Sequence, residues 1–257
     1  MILAARSCTV LGEGGQLRLD AVSVEVGQGE IYAVIGPNGA GKSTLMGILS
    51  GMQKVDSGIV EFNSRPIRDL SVRELARARS VLGQDLAVSF GFTVAEVVAW
   101  GRAPWRGTDR MKEDESVMES AMQATQVTSL RDRSINQLSG GERKRVHIAR
   151  VIAQDCPLMF FDEPDSDLDL IGNNELDATL RGLQQRGRTL VVSSHNLSWI
   201  SGLATHVILM GEHAIVGAGP TKEILTSELL SNAYGTAINV QWTSGPSGRD
   251  IAMWTSG

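Results

Sequence analysis

At 257 residues, with 42% hydrophobic and 21% charged side chains, the chain has an ordinary globular composition and enough length to bury a substantial core. Its formal net charge of −5 argues against a broad nucleic-acid-binding face, so no nucleic-acid partner is expected. No apolar run reaches the length of a spanning helix, and no basic stretch followed by an apolar signal segment opens the chain, which excludes a membrane-spanning or secreted protein on this reading. Cys8 and Cys156 lie far apart without metal-ligand spacing, which points to two structural thiols in a reducing compartment, with a single disulfide as the alternative.

In chain order, residues 16–26 (QLRLDAVSVEV) alternate apolar and polar in their second half, as a half-exposed antiparallel strand does. The apolar run Ile31–Ile35 follows a Gly27-Gln28-Gly29 turn and leads into Gly36-Pro37-Asn38-Gly39-Ala40-Gly41-Lys42-Ser43-Thr44, after which Leu45–Leu49 reads as a helix. Strand, glycine-rich loop and helix in this order form a phosphate-binding loop. The glycines at 36, 39 and 41 let successive backbone N–H groups converge on one anion at the positive end of the helix. Lys42 would reach the β- and γ-phosphates, Ser43 would ligate Mg²⁺, and Thr44 would support a neighbouring phosphate.

Further along, Ser57–Phe62 reads as a short strand, and Ser71 followed by Glu74 is a capping box that predicts a short helix. The stretch from Ser89 to Trp105 carries Phe90, Phe92, Trp100 and Trp105, either as core or as an apolar groove for a partner helix. Helical periodicity returns from Glu115 to Val127, and residues 138–154 form a second helix with Val146, Ile148, Ala149, Ile152 and Ala153 on its buried side. The basic run Arg143-Lys144-Arg145 on that helix reads as a solvated face. Residues 157–164 give a buried strand ending in two acids, Glu175–Gln185 a helix, Thr189–His195 another buried strand, and 206–216 a hairpin-like pair. Strands alternating with helices in this way predict an α/β fold with a mostly parallel core sheet, an antiparallel edge and ligands at the strand carboxyl ends.

Leu138-Ser139-Gly140-Gly141-Glu142 matches the signature sequence of ATP-binding cassette (ABC) ATPases, and the family's other motifs stand around it in the family's order. Gln84 matches the Q-loop glutamine, Leu158–Glu163 the Walker B strand, Asp165–Asp169 the D-loop and His195 the switch histidine. The chain thus resembles a P-loop NTPase of ABC type over roughly residues 2–235. The resemblance implies an ATPase domain at 1–235 with a helical insertion at roughly 86–155; the Gly/Ser/Pro-rich stretch 243–248 leaves 236–257 as a loose C-terminal tail. It implies that Asp162, with Ser43 and Gln84, holds Mg²⁺, that Glu163 is the general base, and that His195 contacts the γ-phosphate. A helix cap is the plainer reading of the acid pair.

A further implication is a head-to-tail dimer, closed by ATP, in which Ser139, Gly140, Gly141 and Glu142 of one copy face the γ-phosphate on the partner copy and Asp169 crosses the seam. The chain departs from the family in two places. It has no aromatic residue before position 32 to stack on adenine, leaving Val10 or Leu11 to supply an apolar surface, and it carries Asp165 and Asp167 where small or hydroxyl residues are commoner. A single cassette without spanning segments implies a separate membrane permease, at the cytoplasmic face of the cell membrane, and indirectly a substrate-binding protein. The stretch Glu74–Trp105 looks most like the ATPases of bacterial haem, ferric-siderophore and vitamin B12 importers, with the haem branch favoured. A soluble, non-transport ABC protein is the alternative from another class.

Overall fold

The computed structural model describes residues 1–83, 88, 91–244 and 250–256. The chain divides into two compact units, Met1–Leu70 with Thr189–Gly257, and Ser71–Arg188.

The first unit opens with β1 (Leu3–Leu11) and β2 (Leu17–Val26), paired antiparallel. Next come β3 (Ile31–Ile35), α1 (Lys42–Ser50), β4 (Ser57–Phe62) on the other edge of β1, and the two-residue β5 (Arg65–Pro66). The alternation expected in the second half of β2 is present, with Val22, Val24 and Val26 buried and Ser23 and Glu25 exposed. In contrast β3 is buried along its whole length, as an apolar run covered on both faces must be. Gly58 sits where β4 meets a bulged β1: a Cβ there would lie 2.4 Å from the Ser7 carbonyl oxygen, at a φ of +85°.

The second unit contains α2 (Val72–Ala78), β6 (Arg79–Leu82), α3 (Val94–Ala99), α4 (Asp114–Ala124), α5 (Gly140–Ala153), β7 (Leu158–Asp162) and α6 (Leu170–Gln185). The predicted capping box at Ser71 and Glu74 starts α2, and two more start α3 (Thr93 with Glu96) and α5 (Ser139 with Glu142). Between them α3, α4 and α5 bury Val97, Val98, Met118, Met122, Val146 and Ala149, each larger aliphatic side chain contributing about 1.5–3 kcal/mol. β6 and β7 pair in parallel. Trp105 is core, its Nε1–H donating to the Gln154 carbonyl at 2.7 Å, whereas Trp100 is 38% exposed and meets Phe92 edge-on. The aromatic stretch is therefore divided between core and surface, and Phe90 lies outside the described residues.

The chain then returns to the first unit with β8 (Thr189–Ser193), α7 (Leu197–Leu203), β9 (His206–Gly211), β10 (Ala214–Pro220), α8 (Thr221–Ile224), α9 (Ser227–Tyr234), β11 (Ile238–Ser244) and β12 (Asp250–Ser256). β3 pairs in parallel with β8 on one side and β9 on the other, and β10 adds antiparallel to β9, as the hairpin reading of 206–216 expects. The tail expected to be loose is instead a two-stranded antiparallel sheet. The Ala252 N–H donates to Ser201 Oγ of α7 at 2.8 Å, so β12 is anchored to the unit. No described helix is long and apolar enough to cross a membrane.

Candidate active site

The first unit carries the glycine-rich loop. β3 delivers the chain to Gly36, whose φ is +148° and where a Cβ would approach the Met210 carbonyl oxygen to 2.4 Å. Gly41 caps α1 at a φ of +98°, with the Arg18 carbonyl oxygen only 2.7 Å from where its Cβ would stand. These two glycines let the loop pass between β2 and β9, while Gly39 and Asn38 face solvent. Lys42, 9% exposed, lays its Nζ on the carbonyl oxygens of Gly36 at 2.8 Å and Pro37 at 2.9 Å. Ser43 is exposed and Thr44 half-buried in the first turn of α1, and Ala40 is buried beneath the loop.

His195 is exposed just after β8, where Asn196 caps α7 by accepting from the Trp199 N–H. A cavity of about 320 Å³ brings Gly36, Pro37, Asn38 and His195 together with Tyr234 and Trp254. Burial raises the Tyr234 hydroxyl above its ordinary value, opposed by a hydrogen bond with the Gly36 backbone. The end of α9 thus braces the entry of the loop. Nothing in the sequence near Tyr234 signals that contact, because it is made across some 200 residues.

The second unit carries the carboxylates. Asp162 ends β7 half-buried, and Glu163 follows in a left-handed conformation, φ +48°. Lys144 of α5 is 5% exposed and donates to the Glu163 carbonyl oxygen at 2.8 Å and to Ser166 Oγ at 2.9 Å. This corrects the reading of Arg143-Lys144-Arg145 as a solvated face: the lysine is inside, and both arginines are half-buried. Gly140, Arg143, Lys144, Asp162, Glu163, Ser166 and Asp167 line a second cavity of about 360 Å³.

Ser139 and Gly140 are exposed at the start of α5. There Ser139 Oγ accepts from the Glu142 N–H at 3.3 Å and donates to Glu142 Oε2 at 2.9 Å. Asp169 caps α6, its Oδ1 accepting from the Gly172 N–H at 2.7 Å. Gln84 lies outside the described residues. Among the two residues expected to offer an apolar surface to a base, Val10 is core at 1% exposed and cannot, whereas Leu11 is 46% exposed. Leu11 pairs across the sheet with Leu17, itself 36% exposed and next to the Arg18 carbonyl that touches the glycine loop.

Within the first unit the donor set fits a nucleoside triphosphate: a lysine ammonium seated on carbonyls that phosphate oxygens can replace, and an exposed hydroxyl at a helix N-terminus. A buried parallel strand, a glycine loop with left-handed turns and a capped helix define a phosphate-loop ATPase. The chain belongs to the ABC transporter family, whose model matches residues 19–166. It is 42% identical over 239 residues to the hemin import ATP-binding protein HmuV of Streptomyces coelicolor, covering 93% of this chain and 85% of that protein. The ferric enterobactin transport ATP-binding protein FepC of Escherichia coli is 39% identical, over 88% of this chain and 84% of its own. Among solved structures, an inward-facing ABC transporter of metal-chelate type superposes with a TM-score of 0.84 at 25% identity, covering 100% of this chain and 97% of that one.

Proposed function

We propose that this chain is the ATP-hydrolysing subunit of a bacterial importer of haem or another iron chelate, attached from the cytoplasm to a separate permease that receives cargo from a substrate-binding protein. The observation that carries the reading is the 42% identity, over nearly the whole chain, to a protein named for hemin import, supported by the ferric enterobactin relative. Those names favour an iron chelate over the vitamin B12 alternative.

In this reading Lys42 leaves the Gly36 and Pro37 carbonyls for the β- and γ-phosphates, and the loop N–H groups from Gly39 to Thr44 hold the remaining phosphate oxygens. Ser43, Asp162 and Gln84 would hold Mg²⁺, which neutralises charge between the β- and γ-phosphates when bound. Glu163 takes the proton of the attacking water, and His195 orients the γ-phosphate and that acid. Two copies close head to tail, Ser139 to Glu142 of each facing the nucleotide of the other and Asp169 lying at the seam. ATP favours the closed dimer because it binds that state better, and hydrolysis reopens it.

The test uses the full chain and its Glu163→Gln variant. Size measured with and without Mg·ATP, alongside phosphate release, should show a dimer of the variant only with ATP and turnover only in the wild type. Two monomers hydrolysing equally would remove both the base and the cycle. Cargo is tested by reconstituting the chain with the permease that co-purifies: hemin uptake supports the reading, and uptake of cobalamin alone replaces it.

A further inference from the structure

The helix α5 turns one face toward the segment that follows β7. Gly141 begins that face, and a Cβ on it would stand 3.7 Å from the Asp167 carbonyl oxygen and from Leu168 Cδ2, so helix and segment pack at van der Waals distance. Lys144 lies three residues on and Ile148 four beyond it, both buried, which puts all three on one stripe. A lysine on such a stripe must place its ammonium somewhere specific.

It goes to the turn that carries Glu163. Three donors converge on the Glu163 carbonyl oxygen: Lys144 Nζ at 2.8 Å, Ser166 Oγ at 2.9 Å and the Ser166 N–H at 3.3 Å. Lys144 Nζ also donates to Ser166 Oγ at 2.9 Å, closing a small ring of hydrogen bonds. The turn needs such a clamp, because both Glu163 (φ +48°) and Asp167 (φ +64°) are non-glycine residues in left-handed conformations, which persist only where the surroundings over-determine them. Burial lowers the Lys144 ammonium below its ordinary value, and the carboxylates of Asp167, Asp165, Glu163 and Asp162 oppose that shift without cancelling it. Asp165 and Asp167, the two unusual acids of the D-loop, supply two of those opposing charges.

We propose that Lys144 is a positioning residue for ATP hydrolysis: its ammonium fixes the left-handed turn at Glu163, so that the carboxylate is presented to the attacking water in one orientation, and it ties the D-loop to the signature helix. The inference rests on the reading of Glu163 as the general base. A displacement of the order of 1 Å in a reacting group costs about 100-fold in rate, which sets the scale of the effect.

Phosphate release against ATP concentration is measured on the full chain as wild type, Lys144→Met, Lys144→Arg, Ser166→Ala and Glu163→Gln, with the melting temperature of each. Lys144→Met lowers kcat by about 10- to 100-fold while KM for ATP stays within about 3-fold. Lys144→Arg recovers most of that loss, since a guanidinium still donates to a carbonyl and a hydroxyl. Ser166→Ala, which removes one donor and no charge, lowers kcat by several-fold. A lysine with a merely structural role would lower the melting temperature and leave kcat of the folded protein unchanged. That outcome, or an arginine variant as slow as the methionine one, overturns the proposal. If Lys144→Met does not fold, Ser166→Ala decides, and an unchanged kcat there overturns it equally. The Glu163→Gln control separates the two readings: a dead Glu163→Gln beside a fully active Lys144→Met sinks the positioning role alone, whereas an active Glu163→Gln removes the base itself.

Discussion

Two lysines in this chain make nearly the same contacts and do so for different ends. In the first unit Lys42 is 9% exposed with its Nζ at 2.8 and 2.9 Å from two carbonyl oxygens of the glycine loop. In the second unit Lys144 is 5% exposed with its Nζ at 2.8 Å from the Glu163 carbonyl oxygen and 2.9 Å from a serine hydroxyl. What distinguishes them is the competition each faces. Lys42 donates to two loop carbonyls beside exposed Asn38 and Gly39, where phosphate oxygens can replace them. Lys144 sits near carboxylates and holds a turn with two non-glycine left-handed residues. A buried ammonium can thus be a ligand-seeking group or a strut, and whether its acceptors belong to a glycine-rich loop or to a turn of non-glycine left-handed residues decides which.

The largest effect that would break this comparison is kinetic. Lys42→Met should reduce ATP turnover by at least about 100-fold, the scale of losing one charged donor to a transferring phosphoryl group, and should weaken nucleotide binding as well. A Lys42→Met enzyme with unchanged KM for ATP would make the two lysines alike. Gly41→Ala should act on the same side of the comparison through the backbone: its Cβ would meet the Arg18 carbonyl oxygen at 2.7 Å and Leu19 Cδ2 at 2.9 Å. The expected cost is about 1–3 kcal/mol of stability together with loss of nucleotide binding, read by melting and by fluorescence titration with a labelled ATP analogue.

The two cysteines sharpen the comparison because one lies in each unit. Cys8 and Cys156 are both free and buried. Burial first, then the Asp155 carboxylate, push the Cys156 thiol up to about 12 against the guanidinium groups of Arg79, Arg188 and Arg110. Burial also raises the Cys8 thiol. Only the thiolate reacts, so labelling at pH 8 should be at least about 100-fold slower for Cys156 in the native chain than in denaturant. Repeated on the lysine variants, the rates report which unit has loosened. Labelling of Cys156 at the denatured rate in the wild type would show that the second unit opens readily and would weaken any claim that its turn is rigid.

The phosphate loop was legible because a strand, three glycines, a lysine and a hydroxyl residue form one local pattern whose chemistry follows from backbone geometry alone. β3, β7 and β8 were legible as apolar runs for a similar reason. Lys144 was not. Its neighbours Arg143 and Arg145 make it look like one charge in a solvated run, and its partners Glu163 and Ser166 come from a strand end that only the fold brings near. Asp165 and Asp167 looked anomalous for the same reason, since a counter-charge has no meaning until the charge is found. The C-terminal sheet escaped notice because Gly, Ser and Pro near residue 245 read as a tail, while the anchor on Ser201 of α7 is a long-range contact.

The smallest effect concerns Ser139, which has one role within the chain and another proposed across the dimer. Its backbone N–H and then its hydroxyl hold the Glu142 carboxyl below its ordinary value of 4.5. A depressed folded-state value means that the cap stabilises the chain above the unfolded value and that this contribution is lost as pH falls through the folded one. Ser139→Ala should therefore raise the Glu142 value toward 4.5, cost about 1 kcal/mol near neutral pH, and flatten the acid limb of stability against pH. It should also slow hydrolysis if the hydroxyl reaches the partner's γ-phosphate. A variant with the shifted titration and full activity would confine Ser139 to capping, because the two contributions are then separable and only the local one is real.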